Sequence, residues 1–565
     1  MANDTETAGA VQPVNASGID DALRQDAHAA GEAERELKLW ASLKLYPKAV
    51  GWSILLSTVI IMEGFDTVLI GTLYAYPPFQ RDFGIKQPDD SYQLTAAWQS
   101  GLSNGILIGE IFGLYICGFI SERYGYRWTL IGALIAVVGF TFIVFFADSL
   151  VQLLIGEILL GIPWGIFQTL TTQYASEVCP THLRAYLTTY VNLCWVMGQL
   201  IASGVLRAML PRNDIWGYRI PFALQWMWPV PLIVGIFLAP ESPWWLVRKG
   251  KLGEAKRSLL RLTTNAQQAG QQTTVVDEQV QAAPGTVPGF DVDKTISMMV
   301  YTNEVEKAET EGTGYLDLFR GAVSRRRTEI VCATWLVQQL CGTSLQAFST
   351  YFYQNAGLDV SNSFNLSLGQ YGIGFFGTIG SWFFVSKFGR RDLYLFGQIG
   401  LTLVLFSIGC TAFSGKTSAS QWAAGSLLLG HALVYNLSIG PVCYSLVSEI
   451  PSTRLRGKAI ILARNTYNVG GIIINIITPR MVNPSAWNWG ARAGFFWAGL
   501  CLLCAIWTYF RLPEPKGRTF LELDILFENH VSARKFSKTQ IDAISRNVED
   551  EAKTDKLDAT ATHVG

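Results

Sequence analysis

The sequence predicts an all-α membrane protein, with twelve transmembrane helices arranged as two six-helix bundles. Three observations carry that expectation. Half of the 565 residues are apolar and only 16% are charged, against roughly 25% charged in an ordinary soluble domain. Apolar runs fall in two sets of six, each long enough for a crossing that takes about 20 mostly apolar residues. Short motifs in the first set recur in the same order in the second. The 44 Lys plus Arg balance the 44 Asp plus Glu, so the net charge gives nucleic acid no purchase and none is expected as a partner.

Taken in order, residues 1–46 are polar, with no apolar core ahead of a small-residue cleavage site. A solvated tail is expected there, and the first span itself targets the chain. The first six runs lie near 50–72, 97–119, 128–147, 150–173, 187–207 and 219–239, and the second six near 330–353, 367–386, 393–413, 421–447, 459–479 and 492–511. The intervening 240–329 is polar, and its Gln/Thr/Val/Pro-rich middle, 263–294, reads as partly disordered around short amphipathic helices. The chain is solvated again from about residue 530. The expected domains are a tail (1–46), an N-terminal bundle (47–239), a central loop (240–329), a C-terminal bundle (330–512) and a second tail (513–565).

Lys and Arg concentrate in the even-numbered loops: Arg123 and Arg127, Arg184, Arg248 to Lys251 with Arg325 to Arg327, Lys387 to Arg391, and Arg454 to Lys458. The positive-inside bias places those loops and both termini in the cytoplasm. The sequence GFISERYGYR (118–127) recurs as SWFFVSKFGRR (381–391). Glu177-x-x-Pro180-x-x-x-Arg184 recurs as Glu449-x-Pro451 with Arg456, and Pro240-Glu241-Ser242-Pro243 as Pro513-Glu514-Pro515-Lys516. Three motifs in one order at nearly one offset indicate a duplicated unit, with two bundles moving about a site near the bilayer midplane.

With the segments EGFDTVLIGTLYAYPPF (63–79), GIPWGIFQTL (161–170), PESPWWLVRKGK (240–251) and GPVCYSLVSEIPSTRLRGKA (440–459), these residues resemble the sugar-porter family of the major facilitator superfamily over about 47–527. Within it they are similar to the fungal α-glucoside permeases, the maltose-type proton symporters. The resemblance implies the major facilitator fold and proton-coupled import of an α-glucoside such as maltose by alternating access. It further implies a monomer in the lipid bilayer of the plasma membrane, with sugar and protons as its partners and no cofactor.

The resemblance also implies that cytoplasmic charges latch the two bundles in the outward-facing state. Those positions are Glu122, Arg123, Arg127, Glu177, Arg184 and Glu241, and then Lys387, Arg390, Arg391, Glu449, Arg456 and Glu514. Their other reading is that they fix topology and assist folding. Three positions depart from the family pattern: Glu122 stands for Asp, Glu157 stands where many relatives carry Arg, and Trp244 replaces Arg after PESP.

An ionisable residue inside the hydrocarbon region costs about 2.5–3.5 kcal/mol on insertion scales, so it marks function by default. Span one holds Glu63 and Asp66, three apart and so on one face; span two holds Glu110, and span eleven Arg464. A carboxyl moving between acidic and Arg-containing surroundings can bind and release a proton. Asp66 is expected as the principal carrier, as the resemblance also implies, with Glu110 and Glu63 tuning it and Arg464 as counter-charge. A structural ion pair or a carboxylic acid held neutral is the alternative.

Sugars present fixed hydroxyls and apolar ring faces, which call for amides, hydroxyls and aromatic platforms. Span seven supplies Gln338-Gln339-x-x-Gly342-Thr343-Ser344, like the family's QQ-x-x-G-x-N, followed by Tyr351. Ser344 replaces Asn, and Tyr444 stands where many hexose porters carry Trp. Asn192 stands where relatives use Gln, Tyr467 and Asn468 lie near the corresponding place in span eleven, and the relaxed side-chain volume at several of these site positions suits a disaccharide. Each amide could instead join one helix to another.

Gly101, Gly105, Gly109 and Gly113 make a small-residue face on span two. Trp98, Trp216, Trp382 and Trp487 read as interfacial anchors. Cys501 and Cys504 lie in an apolar run without His or acidic partners and read as packing, as does His431; His182 falls in a cytoplasmic loop. Of the N-x-S sequences at Asn15, Asn365 and Asn436, only Asn365 is placed for glycosylation. No Gly-rich nucleotide loop with its Lys, metal cluster or nucleophile motif marks an enzyme. The remaining alternatives are a hexose or β-disaccharide transporter or facilitator, and a transporter-like sugar sensor, which the short carboxy-terminal tail disfavours.

Overall fold

The computed structural model describes residues 39–539 except 88–89, 180, 264–290, 311–313, 416, 453–454, 517 and 519. Among the described residues, the non-helical pairing is a two-residue antiparallel ribbon, Ile85 opposite Gln93 and Lys86 opposite Tyr92. Ten helices among the described residues are long and apolar enough to cross a membrane. They are α1 (Pro47–Leu73), α2 (Ala96–Tyr124), α3 (Tyr126–Phe145), α4 (Leu150–Val178), α5 (Thr189–Met209, extended back to Thr181), α6 (Trp216–Leu238), α9 (Arg390–Ser414), α10 (Ser418–Glu449), α11 (Arg456–Val482) and α12 (Gly490–Arg511).

Two further helical stretches fall on the expected seventh and eighth runs. The first, α7, is broken into Ala322–Gln338, a wider turn at Gln339–Thr343, Ser344–Ala347 and Ser349–Ala356. The second, α8, runs Val360–Lys387 and carries Ser, Asn and Gln along its first half. Polar residues lower the hydropathy of both, and in α7 those residues coincide with the break.

Side chains set several helix starts. Thr95, Ser149 and Thr417 accept from the backbone N–H groups of Trp98, Gln152 and Ser420, so α2, α4 and α10 open on hydroxyl caps. Packing repeats with the sequence motifs. In the first half α1 packs on α5, α2 on α4 and α3 on α6; in the second, α7 packs on α11, α8 on α10 and α9 on α12. The halves meet along α2 with α11 and α5 with α8. Close approach of α2 and α4 requires glycine: a Cβ on Gly109 would lie 2.7 Å from Gly161 Cα. Gly105 and Gly113 share that contact, whereas Gly101 faces open space, so the four-glycine face is used over three positions.

The structure corrects three expectations at the edges. Leu39–Leu45 is helical and buries Leu45, so the polar N-terminal region does not extend unbroken to 46. Past the last span, Phe520–Glu528 is a helix, and Leu523, Leu526, Phe527 and Phe536 are buried. Arg327 pairs with Asp524 at 2.5 Å and stacks over Phe527 at 4.3 Å, so this stretch docks under α7, and buried Ala533 and Phe536 carry the packing past residue 530, where solvated chain is expected. Asn365 lies inside α8 and accepts from Arg207 at 2.5 Å, a position engaged in helix packing. Asn436 is buried, bonded to Ala432 O and Thr378, and Asn15 lies outside the described residues.

The central loop contains helices at Pro243–Arg248, Leu252–Leu262 and Val292–Thr310, the last two tied by a Lys256–Asp293 pair at 2.5 Å. Most of the stretch expected to be disordered lies outside the described residues.

Candidate functional site

Span-length helices that are apolar all round leave few places for charge, and here the charge collects on a few inward-facing positions. Glu63 of α1 is 2% exposed and Glu110 of α2 is 4% exposed. They act on each other and on Arg464 of α11, so three helices and both halves of the chain contribute to one cluster. Glu63 accepts from Gln168 of α4; the Trp195 indole of α5 lies near Glu63 and Asn468 of α11 near Glu110, neither making a hydrogen bond among the described residues.

Arg464 makes no direct ion pair with either acid among the described residues. Its guanidinium lies 4.8 Å from the centre of the Trp335 ring and 4.5 Å from that of Tyr467. Desolvated contacts of this kind are worth about 2 kcal/mol. Tyr444 meets Trp335 edge-on at 5.1 Å and completes the cage. The aromatic residues expected as sugar platforms therefore also hold the cation.

The remaining amides line the seam. Gln338 is buried, donates to Gly440 O at 3.4 Å and accepts from Tyr435 at 3.1 Å. Gln339 sits in the wide turn against Gly471 of α11, where Leu107 of α2 also approaches. Ser344 accepts from Thr478 at 2.9 Å. Tyr351 is buried near Gln99, in the last helical piece of α7. Asn192 is buried in α5, and Asn104 donates across the seam to Ile472 O at 3.3 Å. Glu63 Oε2, Glu110 Oε2, Gln168 Oε1, Asn104 Oδ1 and Asn465 Oδ1 have no partner among the described residues. Each orphaned buried polar atom costs about 1–3 kcal/mol, so these five are positions where a hydroxyl or a water would be held favourably.

Asp66 is placed elsewhere. Although three residues from Glu63, its carboxylate accepts from Gln225 of α6 at 2.6 Å and from Trp164 of α4 at 3.1 Å, with Glu157 of α4 in reach. Arg464 therefore faces Glu63 and Glu110, and the expected single cluster around Asp66 is two. The 100° step per residue turns positions three apart by some 60°, enough for adjacent acids to enter different interfaces. Gln168, Gln225, Trp164 and Trp195 were not singled out from the sequence. The signal for two of them lay in α4, where Glu157, Gly161, Trp164 and Gln168 recur at helical spacing along one face.

The break in α7 follows from Gly342, whose φ of +80° lies in the left-handed region. It frees the Cys341 carbonyl, which buried His431 takes up through Nε2 at 2.9 Å while Gln346 approaches Nδ1. Cys501 Sγ lies 3.4 Å from Cys341 Sγ and 3.3 Å from Gln398 O in the α12 packing.

At the opposite end the charged motifs pair within each half. Glu241 accepts from the backbone N–H groups of Tyr126 and Arg127 at 3.0 and 3.2 Å, capping the positive end of α3. Glu514 does the same for Arg390 and Arg391 on α9, at 3.0 and 2.9 Å. Burial pushes the Glu241 carboxyl above its ordinary range, partly offset by the N–H groups of Ser242, Arg127 and Tyr126. Glu177 accepts from Arg248 and the Tyr126 hydroxyl, both at 2.8 Å, and from Ser242. Glu449 pairs with Arg390 at 3.3 Å. Arg127 reaches Ala239 O and Arg391 reaches Tyr509 O. Glu122 is exposed with its carbonyl bound by Trp245, Arg123 lies over Tyr124, and Lys387 over Phe383. Arg456 opens α11 half-buried, and the Arg184 side chain lies outside the described residues. In this conformation the contacts described join helices inside one half, where a latch between bundles would join the two.

Comparison with known proteins places this architecture. The sugar (and other) transporter family model matches residues 52–527. The alpha-glucosides permease MPH3 of Saccharomyces cerevisiae is 46% identical over 522 residues, 92% of this chain and 84% of that protein. The maltose permease MAL61 of the same species is 44% identical over 528 residues, 93% and 83%. Among solved structures, the major facilitator superfamily proton:xylose symporter XylE bound to 6-bromo-6-deoxy-D-glucose superimposes with a TM-score of 0.66 at 21% identity, covering 85% of this chain and all of that one. The inward-open form of XylE from E. coli gives 0.64 at 20% identity, over 85% and 99%. The chain belongs to the sugar transporter family and is a multi-pass membrane transporter, not an enzyme.

Proposed function

We propose that this protein imports an α-glucoside such as maltose together with protons, by alternating access of two six-helix bundles built from twelve spans, α1–α6 and α7–α12. The observation that carries the proposal is the meeting of Glu63, Glu110 and Arg464 from α1, α2 and α11 at the seam between the halves. A titratable cluster spanning the moving interface changes its surroundings whenever the halves move, which is what coupling a proton to a conformational cycle requires. Relatives described as maltose and alpha-glucoside permeases support the substrate class.

In this reading Gln338, Gln339, Ser344, Asn192, Tyr351 and Asn468 bind sugar hydroxyls, and Tyr444 and Tyr467 supply ring faces. Asp66 carries the proton in its own cluster, and Glu63 and Glu110, opposed by Arg464, tune the cycle at the seam. The even loops and both termini are cytoplasmic, the protein works as a monomer, and it resides in the plasma membrane. Contacts across the halves then lie at the outer end: Gln354 donates to Ala75 O at 2.9 Å, Asn483 to Leu94 O at 3.0 Å, and Tyr74 stacks on Phe348. With the outside sealed and the cytoplasmic charges paired within halves, the conformation is the inward-facing one. Glu122, Arg123, Arg127, Glu177, Arg184, Glu241, Lys387, Arg390, Arg391, Glu449, Arg456 and Glu514 re-pair across the cytoplasmic face in the outward state.

Labelled maltose uptake in yeast lacking endogenous sugar uptake tests the reading. The expected result is accumulation above the external concentration, abolished by a protonophore and competed by α-glucosides but not by glucose or β-disaccharides. Equilibration without accumulation, insensitive to the protonophore and competed by glucose, would replace it with the facilitator reading.

A further inference from the structure

Glu157 stands apart from the cluster at the seam. It lies on α4, is 0% exposed, and neither carboxylate oxygen meets a donor among the described residues. Its titratable neighbour is Asp66, also 0% exposed, at hydrogen-bonding reach. Both oxygens of Asp66 are already occupied as acceptors, from Gln225 and Trp164. From α1 the facing groups are Asp66 and the Tyr74 phenol, the latter bonded to Gln99 O and Ser103. From α2 it is Gly105, whose Cβ position would lie 3.5 Å from Glu157 Cβ, and from α6 it is the Gln225 amide. No Lys, Arg or His among the described residues acts on either carboxyl.

Two carboxylates in contact, dry and without a cation, repel in a medium that screens poorly, and neither can donate to the other. One proton removes both problems, because an O–H on one carboxyl then donates to an oxygen of the other. We propose that Asp66 and Glu157 hold one proton between them, as a carboxylic acid hydrogen-bonded to a carboxylate, making Glu157 a second proton-carrying residue of the transporter. The pair has one proton and one negative charge, and titrates as a unit. It rests on the proton-coupled reading above for its use in transport, but its existence is independent of which sugar moves.

The test is infrared spectroscopy of the purified protein at neutral pH, following the carbonyl stretch of buried protonated carboxylic acids. Wild type is expected to show a band that disappears in Glu157→Gln and equally in Asp66→Asn, because in each variant an amide N–H takes the place of the shared proton. In cells, Glu157→Gln is expected to lower proton-driven sugar accumulation at least tenfold while labelled-sugar exchange persists, since exchange needs no net proton movement. A band that survives either single substitution, or accumulation by Glu157→Gln at the wild-type level, would overturn the proposal. If one variant fails to fold, the other alone decides through the same band. If wild type moves sugar without accumulating it, the coupling reading fails while the band still decides the shared proton.

Discussion

Arg464→Gln is expected to abolish transport, with initial maltose uptake per molecule at the cell surface falling at least a hundredfold. Arg464 is the positive group acting on both Glu63 and Glu110, and it is half-buried against Trp335 and Tyr467. At an effective dielectric constant of about 20, a unit charge a few ångströms off is worth roughly 2–4 kcal/mol for each acid, and about 1.4 kcal/mol is a factor of ten. Glutamine keeps hydrogen-bonding capacity and most of the volume but removes the charge, so the two acids either pick up protons permanently or repel one another. Either outcome freezes the cycle. Lysine restores charge but not the flat stacking between Trp335 and Tyr467, so partial activity of Arg464→Lys would separate the contribution of charge from that of the aromatic cage. Uptake by Arg464→Gln within tenfold of wild type would remove Arg464 from the mechanism.

Gly64→Val is expected to eliminate folded protein from the membrane, with monodisperse material on size-exclusion chromatography reduced at least tenfold. Gly64 lies between the two acids of α1, where that helix crosses α5. A Cβ there would overlap the Trp195 carbonyl, whose carbon lies 2.9 Å away, and Gly198 presses back with a Cβ position 2.7 Å from Phe65 N. Backbone stands against backbone, so no side chain can rotate aside, and membrane helices associate through such close packing. Gly101→Val is the control, because nothing lies within 4 Å of its Cβ position. Equal yields of Gly64→Val and Gly101→Val would show that the crossing is soft.

Much of this arrangement was legible in the sequence, and particular residues show where legibility stops. Ten of the expected spans declared themselves by apolar length among the described residues, and the repeat by motifs whose structural meaning is now evident: Glu241 and Glu514 cap equivalent helices, α3 and α9, and Glu177 and Glu449 sit beside them. Charge in an apolar helix pointed to Glu63, Asp66, Glu110 and Arg464. Pairing did not follow. In a soluble helix the apolar stripe faces the core, but a membrane helix is apolar toward lipid as well, as exposed Phe112 and Phe119 and buried Leu102 on α2 illustrate. Periodicity therefore could not say that Asp66 turns toward Gln225 while Glu63 turns toward Gln168. The docked tail was missed for a different reason: Leu523, Leu526 and Phe527 form a short apolar stripe too brief to distinguish from exposed polar chain without the arginines of α7 that receive it.

The account's central claim is that sugar moves with protons through acids buried in the membrane-spanning helices. The most direct measurement follows external pH in a weakly buffered suspension of yeast lacking endogenous sugar uptake, after adding maltose. Cells expressing the wild-type chain are predicted to alkalinise the medium promptly, and cells expressing Asp66→Asn at equal surface level to leave it unchanged. Alkalinisation of equal size with Asp66→Asn, or none with the wild-type chain while maltose still enters, would contradict the account.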